Sequence, residues 1–288
     1  MGRGLDPNST TEMESMGMEE VSIPGLVVRY ERGGPAEGTP LLLVHGFTGH
    51  RDDFVHVLPT LSRQRPVLVP DLRGHGASGR AGLPADYTFE AVCEDLLAFL
   101  DSLGIPHCDL LGHSMGGMVG VRFALKHPDR LRSLILMSTS PSPLSEATQQ
   151  ALLKGSAFLE ETDLKTMQSA MEAVGRADPD PTLATWSEHY WAHQKRRYAE
   201  MDPCAYLGFA KAMIEQESVA PRLSDISIPT SVVIGTEDRD FLPGTRELIE
   251  GIPGVMENQI AGAGHHPHEE KPAEFFRALE RHFQAVES

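Results

Sequence analysis

Short apolar runs alternating with longer amphipathic stretches from Val21 onward predict an α/β fold: a mostly parallel central sheet flanked by helices, with one inserted helical lid. The first observation is a set of apolar runs bounded by Pro and Gly: Leu41-Leu42-Leu43-Val44, Val67-Leu68-Val69, Leu110-Leu111, Leu134-Ile135-Leu136 and Val232-Val233-Ile234. Each is too short for a buried helix, and unbroken apolarity suits strands covered on both faces. The second is the pattern between them, where Phe89, Val92, Leu96, Leu97 and Leu100 recur at helical spacing with Glu90, Glu94, Asp95 and Asp101 mostly on the other side. Gly104 supplies the stop for that helix, since glycine enters the left-handed region without a Cβ clash. The third is a break in rhythm: from about Pro141 to Pro229 the pattern is helical, and strand and helix alternate again from Thr230.

These features divide the chain into a tail at 1–20, a core at 21–140 and 229–288, and a lid at 141–228. The tail is rich in Gly, Ser, Thr, Met and acid, which predicts disorder, and it lacks the cationic start and apolar stretch of a secretory signal. The lid holds Trp186 and Trp191, three of the five tyrosines (Tyr190, Tyr198, Tyr206), and Met167, Met171, Met201 and Met213. Such side chains either line an apolar underside or form a second small core, and both can hold at once.

Composition narrows the functional classes. A net charge of −16 over 288 residues argues against a nucleic-acid groove or a polybasic membrane anchor. No run of about 18 apolar residues occurs, so no membrane-spanning helix is expected. Three cysteines without C-x-x-C spacing suit a reducing compartment, with the cytoplasm as the expected location.

The most informative stretch is Leu110-Leu111-Gly112-His113-Ser114-Met115-Gly116-Gly117-Met118-Val119, an apolar strand running through G-x-S-x-G into a helix. This is the pattern of a nucleophile elbow, a tight reversal that presents Ser114 above the sheet and needs Gly where neighbouring side chains would clash. The helix beginning beside Ser114 aims free N–H groups and a partial positive charge at an oxygen developing there. Gly112-His113-Ser114-Met115-Gly116-Gly117 resembles the elbow of the α/β-hydrolase superfamily in its serine-nucleophile, helical-lid branch. His45-Gly46-Phe47-Thr48-Gly49, Asp71-Leu72-Arg73-Gly74-His75-Gly76-Ala77-Ser78 and Gly262-Ala263-Gly264-His265 are similar to further family segments, so the likeness covers about Val21 to Ala285. It implies that the Phe47 and Met115 N–H groups form an oxyanion hole.

A serine hydroxyl is hardly ionised at neutral pH and needs a general base, itself oriented by an acid. Val232-Val233-Ile234-Gly235-Thr236-Glu237-Asp238 is a buried strand entering an acidic loop, and Gly264-His265 follows the strand-like run at Val255 to Ile260. Serine, acid and histidine thus come in the chain order of this fold, with room for a helix and a strand between the last two. Glu237 and Asp240 compete for the acid role, and the family's Gly-x-x-Asp spacing from Gly235 favours Asp238. His266 and His268 crowd His265, which follows Ala263-Gly264 as the family's base does. Without an H-E-x-x-H helix or a Cys pair, this histidine patch predicts no metal. His113, Trp186, Tyr190 and Trp191 are the candidate pocket residues, whereas His45, His50 and His75 are expected to pack or hydrogen-bond locally.

Two motifs are decoys. Gly74-His75-Gly76-Ala77-Ser78-Gly79 fits G-x-G-x-x-G, but a dinucleotide fingerprint must open a helix, and Arg80-Ala81-Gly82-Leu83-Pro84 breaks one. Lys195-Arg196-Arg197 is expected to be a solvated helix face. The resemblance implies hydrolysis of a carboxylic ester or lactone of a small, largely apolar molecule through a covalent acyl-enzyme, with no cofactor. Carbon–carbon bond hydrolysis and a ligand receptor on the same scaffold are the alternatives. Serine at the elbow disfavours dehalogenation and epoxide opening, whose intermediates need an aspartate. The expected partner is a small molecule, and the oligomeric state is open.

Overall fold

The structure, a computed structural model, describes residues 14–183 and 187–288. Eight strands form one sheet: β1 (Glu14–Ile23), β2 (Leu26–Gly34), β3 (Leu41–Val44), β4 (Val67–Pro70), β5 (Cys108–His113), β6 (Leu131–Met137), β7 (Thr230–Gly235) and β8 (Met256–Ile260), in the order β1-β2-β4-β3-β5-β6-β7-β8. β1 and β2 are antiparallel to their neighbours, and all other pairs are parallel. The apolar runs are therefore central strands, as expected.

The helices are α1 (Leu58–Leu61), α2 (Phe89–Ser102), α3 (Met115–Lys126), α4 (Glu146–Glu161), α5 (Leu164–Ala177), α6 (Ser187–Ala199), α7 (Pro203–Glu215), α8 (Leu242–Gly251), α9 (Pro267–Glu270) and α10 (Pro272–Glu287). Side chains alternate across each strand. Leu42, Val44, Leu68, Leu110, Leu134 and Val232 pack beneath α2, α3 and the inserted helices, while Leu41, Leu43, Val67, Leu111, Ile135 and Val233 pack against α1 and α10. Burying one such side chain contributes roughly 1.5–3 kcal/mol.

The stretch read as a tail is partly strand. β1 starts at Glu14 and pairs with β2 in register from Gly17↔Arg32 to Ile23↔Leu26, while residues 1–13 lie outside the described residues. Its acidic composition suits an edge strand with a wet face: Glu20 pairs with Arg29 at 2.5 Å, and Glu19 accepts from the Tyr30 hydroxyl. On α2, Thr88 caps the N-terminus and Gly104 closes the far end at φ +66°. Asp95 departs from the expected wet side; it is buried and held by Arg73 through two bonds of 2.6 and 2.7 Å.

Helices α4 to α7 fall between β6 and β7. They dock on the core through Phe209, Ala205 and Ala210, all fully buried, and through Tyr87, whose hydroxyl donates to Asp202 at 2.5 Å. Met201 and Met213 are buried in that contact, so part of the insertion's apolar set joins the main core and does not form a separate one. Among the described residues, no helix is long and apolar enough to cross a membrane.

Candidate active site

β5 ends at His113, and α3 begins at Met115, leaving Ser114 alone in the turn at φ 55°, ψ −120°. A non-glycine residue in that region is strained by roughly 1–3 kcal/mol and must be held. Four contacts hold it: Ser114 N–H donates to Met137 O at 2.9 Å, and its carbonyl accepts from Gly117 N–H (2.9 Å), Met118 N–H (3.1 Å) and the Thr139 hydroxyl (2.7 Å). The flanking glycines are sterically required. A Cβ at Gly112 would lie 2.3 Å from Gly116 O, and one at Gly116 would lie 2.2 Å from Val44 O.

The His45–Gly49 turn lies directly against this residue, since a Cβ at Gly46 would sit 3.0 Å from Ser114 Cβ and 3.5 Å from its Oγ. Its Gly46 carbonyl accepts from His45 Nδ1 at 2.9 Å and from Gly49 N–H at 3.1 Å, which fixes the peptide plane carrying Phe47 N–H. His45 Nε2 in turn accepts from Leu72 N–H at 3.0 Å. That arrangement demands a neutral ring, and burial pushes His45 down to about 4. Met115 is the first residue of α3, so its N–H has no acceptor within the helix.

Asp238 and His265 meet. His265 Nδ1 lies 3.0 Å from Asp238 Oδ2, with Asp238 buried and His265 about a third exposed. Phe241 stacks on the His265 ring at 4.6 Å, and Glu270 grips the loop by accepting from Gly264 N–H (2.5 Å) and His266 N–H (2.9 Å). The bond to Asp238 makes Nδ1 the protonated nitrogen and leaves the lone pair on Nε2. His113 joins the two halves: its Nε2 donates to the His265 carbonyl at 2.8 Å. Burial, then the neighbouring His265 and His268, hold His113 far below its ordinary value, so it is neutral.

Helices α4 to α7 and the Phe47-Thr48 turn line an open cleft of about 690 Å³, bordered among others by Phe158, Met167, Met171, Trp191, Tyr198 and Tyr206. Phe47 links the cavity to the turn, its ring lying 4.9 Å from Tyr206. Of the four candidate pocket residues, Trp191 is in this wall. Tyr190 lies outside it, 6.0 Å from the His266 ring and accepting from Gln194 at 2.8 Å. His113 also lies outside it, buried beneath the histidine loop, and Trp186 falls outside the described residues.

Other histidines bond across the molecule, His50 to the Glu200 carboxylate at 3.0 Å among them. His268 donates from Nε2 to Asp53 O at 3.1 Å, and burial pushes it down to about 4. His266, His268 and Glu269 bring ligand-type atoms within 4.8 Å of one another. Burial, then the Asp53 charge, push the Glu269 carboxyl up to about 8, which favours its protonated form at neutral pH. The Gly74–Gly79 loop opens no helix; it wraps Asp71, whose carboxylate accepts from Arg51 N–H and Ala77 N–H at 2.9 Å each. One expectation fails: Arg197 is 6% exposed and reaches the Phe47-Thr48 turn instead of solvent.

Known proteins share this architecture. A provisionally named carbamate hydrolase of Pseudomonas syringae is 30% identical over 250 residues, 85% of this chain and 93% of that protein. The dihydrolipoyllysine-residue acetyltransferase component of the acetoin cleaving system of Pseudomonas putida is 37% identical over 137 residues, only 48% of this chain and 36% of that one. A thermophilic esterase from Thermogutta terrifontis superposes with a TM-score of 0.81 at 26% identity, covering 94% of this chain and 100% of the other. The first and third are named for hydrolysis of different bonds, so what they share with this chain is a hydrolase scaffold. The family model of the alpha/beta hydrolase fold matches residues 39–272, and this chain belongs to that family.

Proposed function

We propose that this protein is a serine hydrolase that cleaves a carboxylic ester or lactone of a small, largely apolar substrate. The observation that carries the reading is the His265–Asp238 bond of 3.0 Å, with the His265 loop tied to His113, the residue before the strained Ser114. In the proposed reaction His265 Nε2 takes the Ser114 proton as Oγ attacks the carbonyl carbon, and the oxyanion is stabilised by Phe47 and Met115 N–H. His265 then protonates the departing alcohol oxygen as the ester bond breaks. Water, deprotonated by His265, attacks the acyl-enzyme; the acid leaves and Ser114 regains its proton. Asp238 keeps Nδ1 protonated and stabilises the imidazolium.

Helices α4 to α7 act in this reading as the lid, and their cavity receives the apolar part of the substrate. The three cysteines are unpaired, which supports a reducing compartment, and we place the protein in the cytoplasm. The test is Ser114→Ala on short p-nitrophenyl esters, with fluorophosphonate labelling in parallel. A loss of turnover on the order of 10⁴-fold or more, and of labelling, is expected. Undiminished turnover in folded Ser114→Ala protein would sink the assignment, and ligand-dependent stabilisation without labelling would mark a receptor instead.

A further inference from the structure

The turn that carries Phe47 N–H is held from two sides. On the core side, His45 Nδ1 and Gly49 N–H fix the Gly46 carbonyl. The next two carbonyls face the insertion, where Arg197 of α6 donates from Nε to Thr48 O at 2.7 Å and from Nη2 to Phe47 O at 3.4 Å. Thr48 adopts φ 53°, a left-handed conformation that a β-branched residue resists. Anchored carbonyls are therefore part of what holds the turn in this shape.

Arg197 is itself fixed in place. It is 6% exposed, and its Nε lies 3.6 Å from Asp53 Oδ1, which also accepts from His193 Nε2 at 2.7 Å. Burial alone would raise the Asp53 carboxyl, but Arg197 and His193 outweigh it and hold it well below the usual carboxylate range. Asp53 is thus a charged partner at neutral pH, and the guanidinium is oriented by a buried carboxylate beneath it. Gly49 completes the packing, because a Cβ there would lie 2.5 Å from His45 Nδ1 and 2.8 Å from Asp53 Oδ2.

We propose that Arg197 is a positioning residue that sets the Phe47 oxyanion donor from the lid, so that seating of α6 on the core and assembly of the oxyanion hole are one event. It touches no reacting atom; it acts through the Phe47 and Thr48 carbonyls. The proposal rests on the hydrolase reading above. It distinguishes Arg197 from its neighbour Arg196, which is half exposed and pairs with Asp52 and Glu200 on the outer face of the same helix.

The experiment compares full-length wild type, Arg197→Met, Arg197→Lys and Ser114→Ala. In Arg197→Met, kcat on p-nitrophenyl butyrate is expected to fall about 10–100-fold, short of the 10²–10³-fold for losing a donor outright. KM should stay within about threefold, because the arginine does not line the cavity. Arg197→Lys, which keeps a cation but not the fork, should recover part of the loss. Amide hydrogen exchange at Phe47, Thr48 and Gly49 should quicken in both variants, while β3 and β5 keep wild-type protection.

Unchanged kcat in folded Arg197→Met, a loss confined to KM, or unchanged exchange at residues 47–49 would each overturn the proposal. If Arg197→Met does not fold, Arg197→Lys carries both readouts. Wild-type turnover that survives Ser114→Ala would defeat the hydrolase reading instead, and the exchange measurement would still decide whether Arg197 holds the turn.

Discussion

The sheet and the insertion treat their buried groups in opposite ways. At the C-terminal ends of β3, β5 and β8, polar groups are pinned by bonds between side chain and backbone: His45 by Gly46 O and Leu72 N–H, His113 by His265 O, and the Gly264 and His266 amides by the Glu270 carboxylate. Across α4 to α7 the cleft is mostly apolar and bordered by methionines and aromatics. Hydrogen-bonded groups occupy single positions, whereas apolar walls tolerate replacement of similar volume. In the proposed function the sheet ends carry the chemistry and the apolar wall sets the substrate scope, with Arg197 of α6 as a polar group reaching from the helices to the Phe47-Thr48 turn.

The strongest way to break this contrast is at Asp238. Asp238→Asn keeps the shape but offers His265 an amide in place of an acceptor-only carboxylate, favouring the wrong tautomer. A fall in kcat of about 10³–10⁴-fold with little change in KM is expected. Steady-state kinetics showing a small loss, or one confined to KM, would move the acid role to Glu237 or Asp240.

A second test probes the polar seam beneath the histidine loop. Glu269 has its carboxyl raised from 4.5 to about 8, so the folded state favours its protonated form. That contribution is complete below pH 4.5 and is lost as pH rises through about 8; stability should fall over this window. At about 1.4 kcal/mol per unit the loss reaches several kcal/mol at most. Glu269→Gln should flatten the fall, with urea midpoints at pH 5, 7 and 9 as the measurement; parallel slopes for both proteins would refute it.

The smallest effect is expected in the cavity wall. A Cβ at Gly155 of α4 would meet Tyr206 Oη at 2.3 Å, so Gly155→Leu pushes the tyrosine and fills space between α4 and α7. The ratio of kcat/KM for octanoyl over acetyl p-nitrophenyl esters should drop about tenfold, in keeping with 1–3 kcal/mol per methylene in a pocket. The acetyl ester should change less than about twofold. Equal loss on both esters would show that the wall also supports the chemistry.

How much of this was legible depended on whether a residue's partner lay nearby in the chain. The parallel strands, α2 with its stop at Gly104, and the glycines of the elbow are local patterns, and the structure places them as read. Chain order pointed to the two loops that meet, and the family's Gly-x-x-Asp spacing, not chain order, separated Asp238 from Glu237 and Asp240 as the partner of His265. β1 was missed because an edge strand with one wet face has the composition of a tail. Arg197 was misread because its partners lie about 150 positions away in the β3 turn, and no local spacing distinguishes it from Arg196. Glu270 carries no periodic signal either; only its two amide partners reveal what it does.

Residues 141–228 leave the sheet after β6 and return at β7, strands that pair directly from Leu134↔Thr230 to Met137↔Val233. Because that pairing is parallel, the chain leaves at one end of the sheet and re-enters at the other, but the helical segment closes on itself before doing so, where Val219 N–H donates to Pro141 O at 2.9 Å. Its length is uncoupled from every strand pairing. A shorter or longer set of helices can be grafted at the same two points with Ser114, Asp238 and His265 left where they are, provided the graft supplies its own cation for the Phe47 and Thr48 carbonyls.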